Sequence, residues 1–346
     1  MVERARDGIG GNGHLGSGTR DLIAVSYHDS VAELQGLIGP AAGLGPFARA
    51  EWFARLETRE AAPLYACARH GEAVAILPLA QRGEVLHAMR NWYAFTWAPL
   101  GAADPELLTA LAADLRRRSH QVVLDQLSEP VATSIRAAFA DAGWRCEQQI
   151  CDTNHYLRVE GRSFDAYLGG LAGQLRSTLR RKSGALTTEI VEHFTDDRWA
   201  DYSVIYAESW KPVEGDIALL RDFARDEAAE GRLRLGFARH GDDLVAAQLW
   251  TLEDGVAYIH KLAHRRGADR YSPGTVLTVA LMRHVIDLDQ VTEVDFGTGD
   301  DAYKRIWMER SRPRYRLDCL DARQAAAWPA LARRFARNLA RCGPRS

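Results

Sequence analysis

The chain has 346 residues, which is enough for one large domain or two domains of medium size. Its 44 basic and 46 acidic residues give a formal net charge of -2, so no overall field attracts nucleic acid, and we expect no nucleic-acid partner. No apolar run is long enough to span a bilayer, and the 5 cysteines include no CxxC pair, which favours reduced thiols in a cytoplasmic protein.

The N-terminal part of the chain predicts a leader followed by strands and helices. Residues 1–20 combine charge and glycine without an apolar core, so we expect a disordered leader and not a secretory signal. Turn residues and apolar periodicity then predict, in chain order, an edge strand at Leu22–Tyr27, helices near Val31–Ile38 and Pro46–Glu57, a hairpin at Pro63–Leu79, the aromatic segment Asn91–Trp97, a helix opened by Asp104-Pro105, a strand at Gln121–Leu127, a helix at Pro130–Ala142 and a strand at Trp144–Val159.

The C-terminal part predicts a long helix and then a second α/β unit. The long helix, Phe164–Lys182, is capped by Ser163 and ends at Ser183-Gly184. The elements that follow it are helices near Asp197–Trp210 and Ile217–Glu230, three β segments within Leu233–His264, a helix opened by Ser272-Pro273, a strand ending in Asp295-Phe296-Gly297, a short helix at Asp301–Met308 and a basic tail helix from Ala322.

One order of elements occurs twice: a hairpin, a loop, a Pro-opened helix and a strand with a terminal aspartate. Asp104-Pro105 and Asp125 correspond in this order to Ser272-Pro273 and Asp295. We interpret this as a degenerate tandem repeat of α/β class. Residues 21–162 would form the first half and residues 163–321 the second, each with a mixed β-sheet flanked by helices, and the bridging helix at 163–183 would join them.

The start of the helix at Ser272 has the features of an anion site. Ser272 is a favoured N-cap residue, and Pro273 is favoured at the first helical position. Gly274 and Thr275 leave the amides of the first turn open, so a phosphate could approach the positive end of the helix dipole. Together with the preceding strand and the strand that ends at Asp295, this helix start forms a plausible acyl-CoA site.

The order of these motifs resembles the GNAT acyltransferase superfamily, and more narrowly the branch that groups cellulose-biosynthesis-associated acetyltransferases with Fem-type peptidyltransferases. The matching positions are Lys261, Ser272-Pro273-Gly274, Asp295-Phe296-Gly297, Gly299, Tyr303-Lys304 and the helix Phe164–Lys182. The resemblance implies a tandem GNAT-like fold, with the active site in the C-terminal half and an acyl-CoA donor.

The resemblance also implies where the donor binds. In GNAT proteins the pantetheine arm adds to a sheet edge that is exposed where two central strands separate, through main-chain contacts. We expect the donor to contact the strand positions Ile259, Lys261, Leu262 and Ala263, the loop residues Arg265 and Arg266, and the helix start at Ser272, Pro273, Gly274 and Thr275. The alternative is a plain strand, turn and helix with solvated arginines.

Three residues after the gap are candidates for catalysis. Asp295 could orient or deprotonate an amine nucleophile, or it could be a structural carboxylate that accepts amides of the Gly297–Gly299 turn. The resemblance nominates Tyr303 as the general acid for the leaving thiolate; its alternative is packing beside Trp307. Lys304 resembles a Fem-type lysine that holds a carboxylate or phosphate of the acceptor.

His260 and His264 have an H-x-x-x-H spacing, but the segment predicts a strand. On a strand these side chains lie about 13 Å apart, too far for one ion, so we expect no metal. A neutral His260 remains a minor candidate for a general base.

Further candidates lie outside the central motif. Arg176 and Arg180 share one helix face and could clamp an anionic acceptor, or they could be a solvated basic face. Trp97, within the aromatic cluster of Trp92, Tyr93 and Phe95, could line the acceptor pocket or belong to the core.

The tail at residues 322–346 predicts a basic amphipathic helix. Its apolar stripe consists of Trp328, Leu331, Phe335 and Leu339. Such a helix could make peripheral contact with anionic lipid, or it could dock on the body of the protein.

These features predict an acyl-CoA-dependent N-acyltransferase. An acetyl or longer acyl group would pass by direct attack to an amine, or to a hydroxyl, of a small-molecule, sugar or peptide acceptor. One alternative is a Fem-like peptidyltransferase with an aminoacyl-tRNA donor. The other is a non-catalytic scaffold in polysaccharide or lipid assembly. The acyl length, the acceptor and the oligomeric state are left open by the sequence.

Overall fold

The structure is a computed structural model that describes residues 22–39, 44–60, 62–102 and 104–342. The predicted leader at residues 1–20 and the last four residues of the predicted tail lie outside this part of the chain.

Within the described residues, one mixed sheet runs through the molecule. Its strands are β1 (Ala24–His28), β2 (Pro63–His70), β3 (Ala73–Arg82), β4 (Val85–Ala88), β5 (Leu100–Gly101), β6 (Gln121–Leu127), β7 (Arg145–Arg158), β8 (Thr187–Val191), β9 (Leu233–His240), β10 (Asp243–Glu253), β11 (Val256–His264), β12 (Glu293–Thr298) and β13 (Arg310–Leu320). Their order across the sheet is β1-β2-β3-β4-β6-β13-β7-β12-β11-β10-β9-β8, and β5 pairs with β3.

Helices flank the sheet. They are α1 (Ala50–Glu57), α2 (Pro105–Leu115), α3 (Glu129–Asp141), α4 (Phe164–Gly170), α5 (Gly173–Lys182), α6 (Asp196–Ala207), α7 (Ile217–Ala229), α8 (Pro273–Arg283), α9 (Ala302–Trp307) and α10 (Trp328–Cys342). Several begin as their sequence predicts: the side chain of Asp104 accepts the amides of Glu106 and Leu107, and that of Ser163 accepts the amide of Ala166.

The predicted long helix from Phe164 to Lys182 is wrong, because this segment forms two helices. Helix α4 ends at Gly170, and Leu171 has an extended backbone with its side chain buried. Two consecutive glycines, Gly169 and Gly170, weaken the helix immediately before this break.

Strands β7 and β13 are exchanged between the two halves of the chain. Strand β13 lies between β6 and β7, and β7 in turn lies between β13 and β12. Each of the two strands therefore pairs with a strand from the other half. The α/β class and the mixed pairing are confirmed, but the two predicted sheets are continuous as one.

The same exchange corrects the prediction that all cysteines are reduced. Cys146 on β7 and Cys319 on β13 stand directly opposite each other in the register and form a disulfide. Their sequence separation of 173 residues concealed this proximity. Cys67 is a buried free thiol and Cys151 an exposed one.

The tail helix α10 docks on the body through its arginines. Arg334 donates to the carbonyl oxygens of Arg145 and Asp318 at 2.8 and 2.9 Å, and Arg337 pairs with Glu147 at 2.6 Å. On the apolar stripe, Trp328, Phe335 and Leu339 are 59%, 67% and 59% exposed. Contact of this stripe with lipid stays a prediction. Over the described residues, no helix combines the length and apolar character needed to cross a membrane.

Candidate active site

A gap opens in the sheet between β11 and β12. Their parallel pairing covers three residue pairs and ends at Tyr258 and Asp295, although β11 continues to His264 and β12 to Thr298. On its other edge, β11 pairs with β10 with a shift in register that leaves His260 as an extra residue. Beyond Tyr258, the edge of β11 that faces β12 therefore lacks a strand partner.

A cavity of about 710 Å³ occupies this gap. Several residues predicted from the sequence line it, namely Ile259, His260, Lys261, Leu262, Ser272, Gly274, Thr275, Tyr303 and Lys304. Other predicted residues lie elsewhere, namely Ala263, Arg265, Arg266, Pro273, Asp295, Arg176, Arg180 and Trp97.

The N-terminus of α8 faces the cavity. Ser272 has a left-handed backbone with φ of 52°, and its side chain does not cap the helix. The amides of Gly274 and Thr275 belong to the first turn, so they have no acceptor within the helix. A β-carbon on Gly274 would lie 3.4 Å from the His264 ring, in ordinary van der Waals contact, so this helix start lies directly beside the end of β11. This helix start can donate hydrogen bonds to an anion.

Arg265 and Arg266 do not line the cavity. The guanidinium of Arg265 lies 2.6 Å from the carboxylate of Glu208, and that of Arg266 donates to the carbonyl oxygen of Ser209 at 3.1 Å. Both contacts anchor the loop to the end of α6. Their predicted contact with the donor phosphates stays a prediction.

Asp295 lies at the centre of a buried polar network and is 2% exposed. One carboxylate oxygen accepts from the amide side chain of Asn154 at 2.6 Å and from the backbone amide of Gly297 at 2.7 Å. The other accepts from Arg312 at 2.7 Å and lies 3.7 Å from Arg314. These contacts are those of a structural carboxylate that pairs with two arginines and fixes the backbone at Gly297, near the end of β12.

The hydroxyl of Tyr303 is held at the cavity wall by a polar chain. The indole N–H of Trp250 donates to the side-chain oxygen (Oε1) of Gln248 at 2.9 Å, so the side-chain nitrogen (Nε2) of Gln248 donates to Thr278, also at 2.9 Å. Thr278 gives its only hydrogen to the carbonyl oxygen of Gly274, and Tyr303 lies 3.1 Å from the Thr278 oxygen. Tyr303 is therefore the donor in that last bond, and burial raises its pKa, which keeps the phenol protonated.

Three lysines line the cavity. The ammonium of Lys261 lies 3.1 Å from a Glu214 oxygen and 3.9 Å from the centre of the Trp92 ring. Lys304 donates to the carbonyl oxygen of Thr298. Burial lowers the pKa of Lys304 and that of Lys211. This wall suits an anionic group on a substrate.

His260 lies among aromatic rings at the inner end of the cavity. Its ring lies 5.4 Å from that of Phe95 and 5.1 Å from that of Phe223, and a ring nitrogen lies 2.7 Å from the hydroxyl of Thr251. Burial, assisted by the charge of Lys261, lowers the pKa of His260 to about 3, so the imidazole is neutral. Among the described residues, no group of three His, Cys, Asp or Glu side chains could hold a metal ion.

The remaining predicted residues, Arg176, Arg180 and Trp97, lie outside the cavity. Arg176 and Arg180 are exposed on α5. Trp97 is a core residue, because it is 1% exposed and its indole donates to the carbonyl oxygen of Pro78 at 3.1 Å. Its neighbours Trp92, Tyr93 and Phe95 line the cavity. The aromatic segment of the first half therefore forms part of the wall.

Sequence reasoning missed the loop between α6 and α7. Trp210 and Lys211 of this loop line the cavity, and Glu214 accepts from the hydroxyl of Tyr93 at 2.6 Å. An aromatic and a lysine side by side in a loop are a functional signal that could have identified this segment.

A model of a known protein family matches the part of the chain that contains this site. Residues 170–305 match the family model of the acetyltransferase (GNAT) domain, a range that contains the gap, the start of α8, Tyr303 and Lys304. The resemblance to the GNAT superfamily is thus confirmed for this part of the chain, whereas the narrower branch stays a prediction.

Solved structures share the fold over most of the chain. FemX has 10% sequence identity and a TM-score of 0.59, with 84% of this chain and 96% of that chain covered. A conserved protein of unknown function from Bacteroides thetaiotaomicron has 12% identity and a TM-score of 0.59, with 86% and 100% covered. L-PGS from Bacillus licheniformis has 14% identity and a TM-score of 0.51, with 75% and 85% covered. At these identities the likeness concerns the fold. No curated protein matches the chain.

Proposed function

We propose that this protein transfers an acyl group from an acyl-CoA donor to an amine acceptor by direct attack. The observation that carries this proposal is the end of β11–β12 pairing at Tyr258 and Asp295. The unpaired edge of β11 and the open amides of α8 face one cavity, so a single extended ligand can contact both.

The dimensions of β11 fit an extended donor arm. At the rise of a β-strand, the five residues from His264 to His260, four steps along the strand, span about 13 Å. His264 lies beside Gly274 at the start of α8, whereas His260 lies at the gap. Phosphates at α8 and amide groups along β11 would therefore bring the thioester to the gap.

The transfer forms one bond and breaks another. The amine nitrogen attacks the thioester carbonyl carbon, the new C–N bond forms, and the C–S bond breaks. The Tyr303 hydroxyl turns from Thr278 to the thiolate and gives it a proton, while the amine loses a proton to solvent. Thr278 keeps its bond from Gln248, so this turn leaves no buried acceptor unpaired. Solvent then reprotonates Tyr303.

The side chains around the reacting atoms bind the acceptor and hold the site in position. Lys304 and Lys211 would hold an anionic group of the acceptor, which matches the predicted role of Lys304. Asp295 would position Gly297 and the two arginines. Its predicted role as the base that acts on the amine is the competing assignment. His260, with a pKa of about 3, supplies a neutral wall and is a weak base.

The test is a calorimetric titration of the full-length chain with CoA. We expect micromolar affinity that falls at least tenfold in Gly274→Val, because the added side chain blocks the α8 amides. Gly169→Val is the matched control, since a β-carbon at Gly169 meets nothing within 4 Å. Equal affinity for CoA in both variants would contradict the proposed donor site.

The same titration, repeated with tRNA in place of CoA, separates the two alternative functions. Binding of tRNA without binding of CoA would support the aminoacyl-tRNA donor. Binding of neither would support the non-catalytic scaffold.

A further inference from the structure

The cavity changes character from its rim to its inner end. At the rim, Trp92 is 56% exposed and Trp210 is 47% exposed. At the inner end, Phe47, Trp52 and Leu220 are each 2% exposed. These inner side chains line the cavity although their own elements, before α1, in α1 and in α7, lie outside the motifs of the donor site.

The inner end is uncharged as well as buried. Phe223 packs edge-on against Trp52 at 5.6 Å and against His260 at 5.1 Å. The imidazole is neutral because burial lowers its pKa to about 3. Lys261 directs its ammonium toward Trp92 at the rim. An apolar group can therefore enter the inner end without desolvating a charge.

The proposed donor arm ends next to the inner end of the cavity. On the proposed function, the arm runs along β11 from His264 toward His260, so its sulfur reaches the gap. His260 on β11 and Phe296 on β12 flank the gap and line the same cavity. Whatever is esterified to the sulfur must occupy the space next to these two side chains.

We propose that this inner end, formed by Phe47, Trp52, Leu220, Phe223 and His260, is an acyl-chain pocket, and that the donor carries an apolar acyl chain longer than acetyl. The proposal rests on the proposed function. The single methyl of an acetyl group would contact little of this apolar wall, whereas each added methylene removes apolar surface from water.

The test measures dissociation constants of acetyl-, butyryl-, hexanoyl- and octanoyl-CoA for the full-length chain. We expect about fourfold tighter binding for each methylene until the pocket is filled. Equal affinity for all four thioesters would overturn the acyl pocket and leave the proposed function standing. If no thioester and no CoA binds, the proposed function fails and this proposal fails with it.

Two variants show whether the gain comes from this pocket. Leu220→Phe fills the inner end, so we expect octanoyl-CoA to lose at least tenfold in affinity while acetyl-CoA binds as before. Ile217→Phe is the control, because Ile217 lies one turn earlier on α7 and is 39% exposed. An unchanged profile in Leu220→Phe would overturn the proposal. Should that variant fail to fold, Phe223→Leu enlarges the pocket and must shift the preference to longer chains.

Discussion

Tyr303 is placed so that its proton can serve the leaving group. Its hydroxyl donates toward Thr278, which itself is fixed by Gln248. A tyrosine whose pKa is raised by burial is protonated at neutral pH. As negative charge develops on the sulfur, the hydrogen bond from Tyr303 to the thiolate becomes stronger than its bond to the Thr278 hydroxyl.

We expect Tyr303→Phe to lower turnover by about 10² to 10⁴, measured as thiol release from acyl-CoA in the presence of an amine panel. Stability should fall by only about 1 kcal/mol, since one hydrogen bond is removed. Tyr27→Phe is the control, because Tyr27 on the edge strand β1 also loses one bond, to Asp114, far along the sheet order from β11. Equal activity of the two variants would refute the role of Tyr303.

Asp295 differs from Tyr303 because its removal takes a carboxylate away from the buried charge of Arg314. In Asp295→Asn, the buried Arg314 loses the carboxylate it lies against, whereas the half-buried Arg312 keeps Glu293 at 2.7 Å. We expect the free energy of unfolding in urea to fall by about 3 to 5 kcal/mol. A variant with unchanged stability and no turnover would instead support Asp295 as the base.

The raised pKa of the Glu253 carboxyl predicts that the free energy of unfolding depends on pH. Burial raises the pKa of this carboxyl from 4.5 to about 7, against the opposing charge of Arg49. Between these two values the folded protein holds the proton that the unfolded chain has lost, so the free energy of unfolding falls as the pH rises from about 4.5 to about 7.

We expect Glu253→Gln to remove this fall. Between pH 5 and pH 8, the free energy of unfolding of the variant should therefore gain on the order of 2 to 3 kcal/mol relative to that of the wild type. Thermal or urea unfolding at both pH values measures it. Glu230→Gln serves as the control, since that side chain is 65% exposed. Parallel pH profiles of the wild type and Glu253→Gln would contradict the raised pKa.

At the scale of elements, the end of β12 brings the two halves into contact. Gly297 has φ of 70°, and a β-carbon there would lie 2.8 Å from the Phe95 ring. The aromatic segment of the first half can therefore cover the gap only because position 297 has no side chain.

We expect Gly297→Ala to destabilise the protein by about 2 to 4 kcal/mol, from the strained backbone and the clash with Phe95 together. Gly71→Ala has a similar φ of 58° with nothing within 4 Å, so it should lose only about 1 kcal/mol. The difference between the two variants in urea unfolding isolates the contact with Phe95; an equal loss would mean that this contact is unimportant.

At the scale of the whole molecule, the exchange of β7 and β13 makes the halves interdependent. Strand β12 pairs with β7 of the first half, and β6 pairs with β13 of the second. Neither half can complete its sheet alone, and each would expose unpaired strand edges.

We therefore expect the full chain to unfold in one cooperative transition. Residues 163–346 expressed alone should bind no CoA and show no cooperative transition by circular dichroism. An isolated second half that binds CoA with full affinity would show instead that the predicted boundary at residue 163 separates independent domains.

Local patterns predicted much of the fold. The hairpin of β2 and β3, the strand at Gln121–Leu127 and the helix opened by Ser272-Pro273 were identified because their turns, caps and apolar periods are encoded within a few residues. The segment Arg310–Leu320 escaped identification as β13. Its four arginines favour a solvated stretch, and Arg310 and Arg316 are indeed exposed. Arg314 is buried beside Asp295, and Arg312 is half-buried between Asp295 and Glu293, contacts that only the sheet pairing creates.

The sequence by itself determined many of the elements and the positions of Gly274, Tyr303 and Lys304 along the chain, since these depend on neighbouring residues. Only the tertiary structure decided that Asp295 pairs with two arginines, that Arg265 pairs with Glu208 at the end of α6, and that aromatic side chains of the first half join those of the second at the inner end of the cavity. Those outcomes depend on contacts between residues far apart in the chain, and no local pattern records which distant strands will pair.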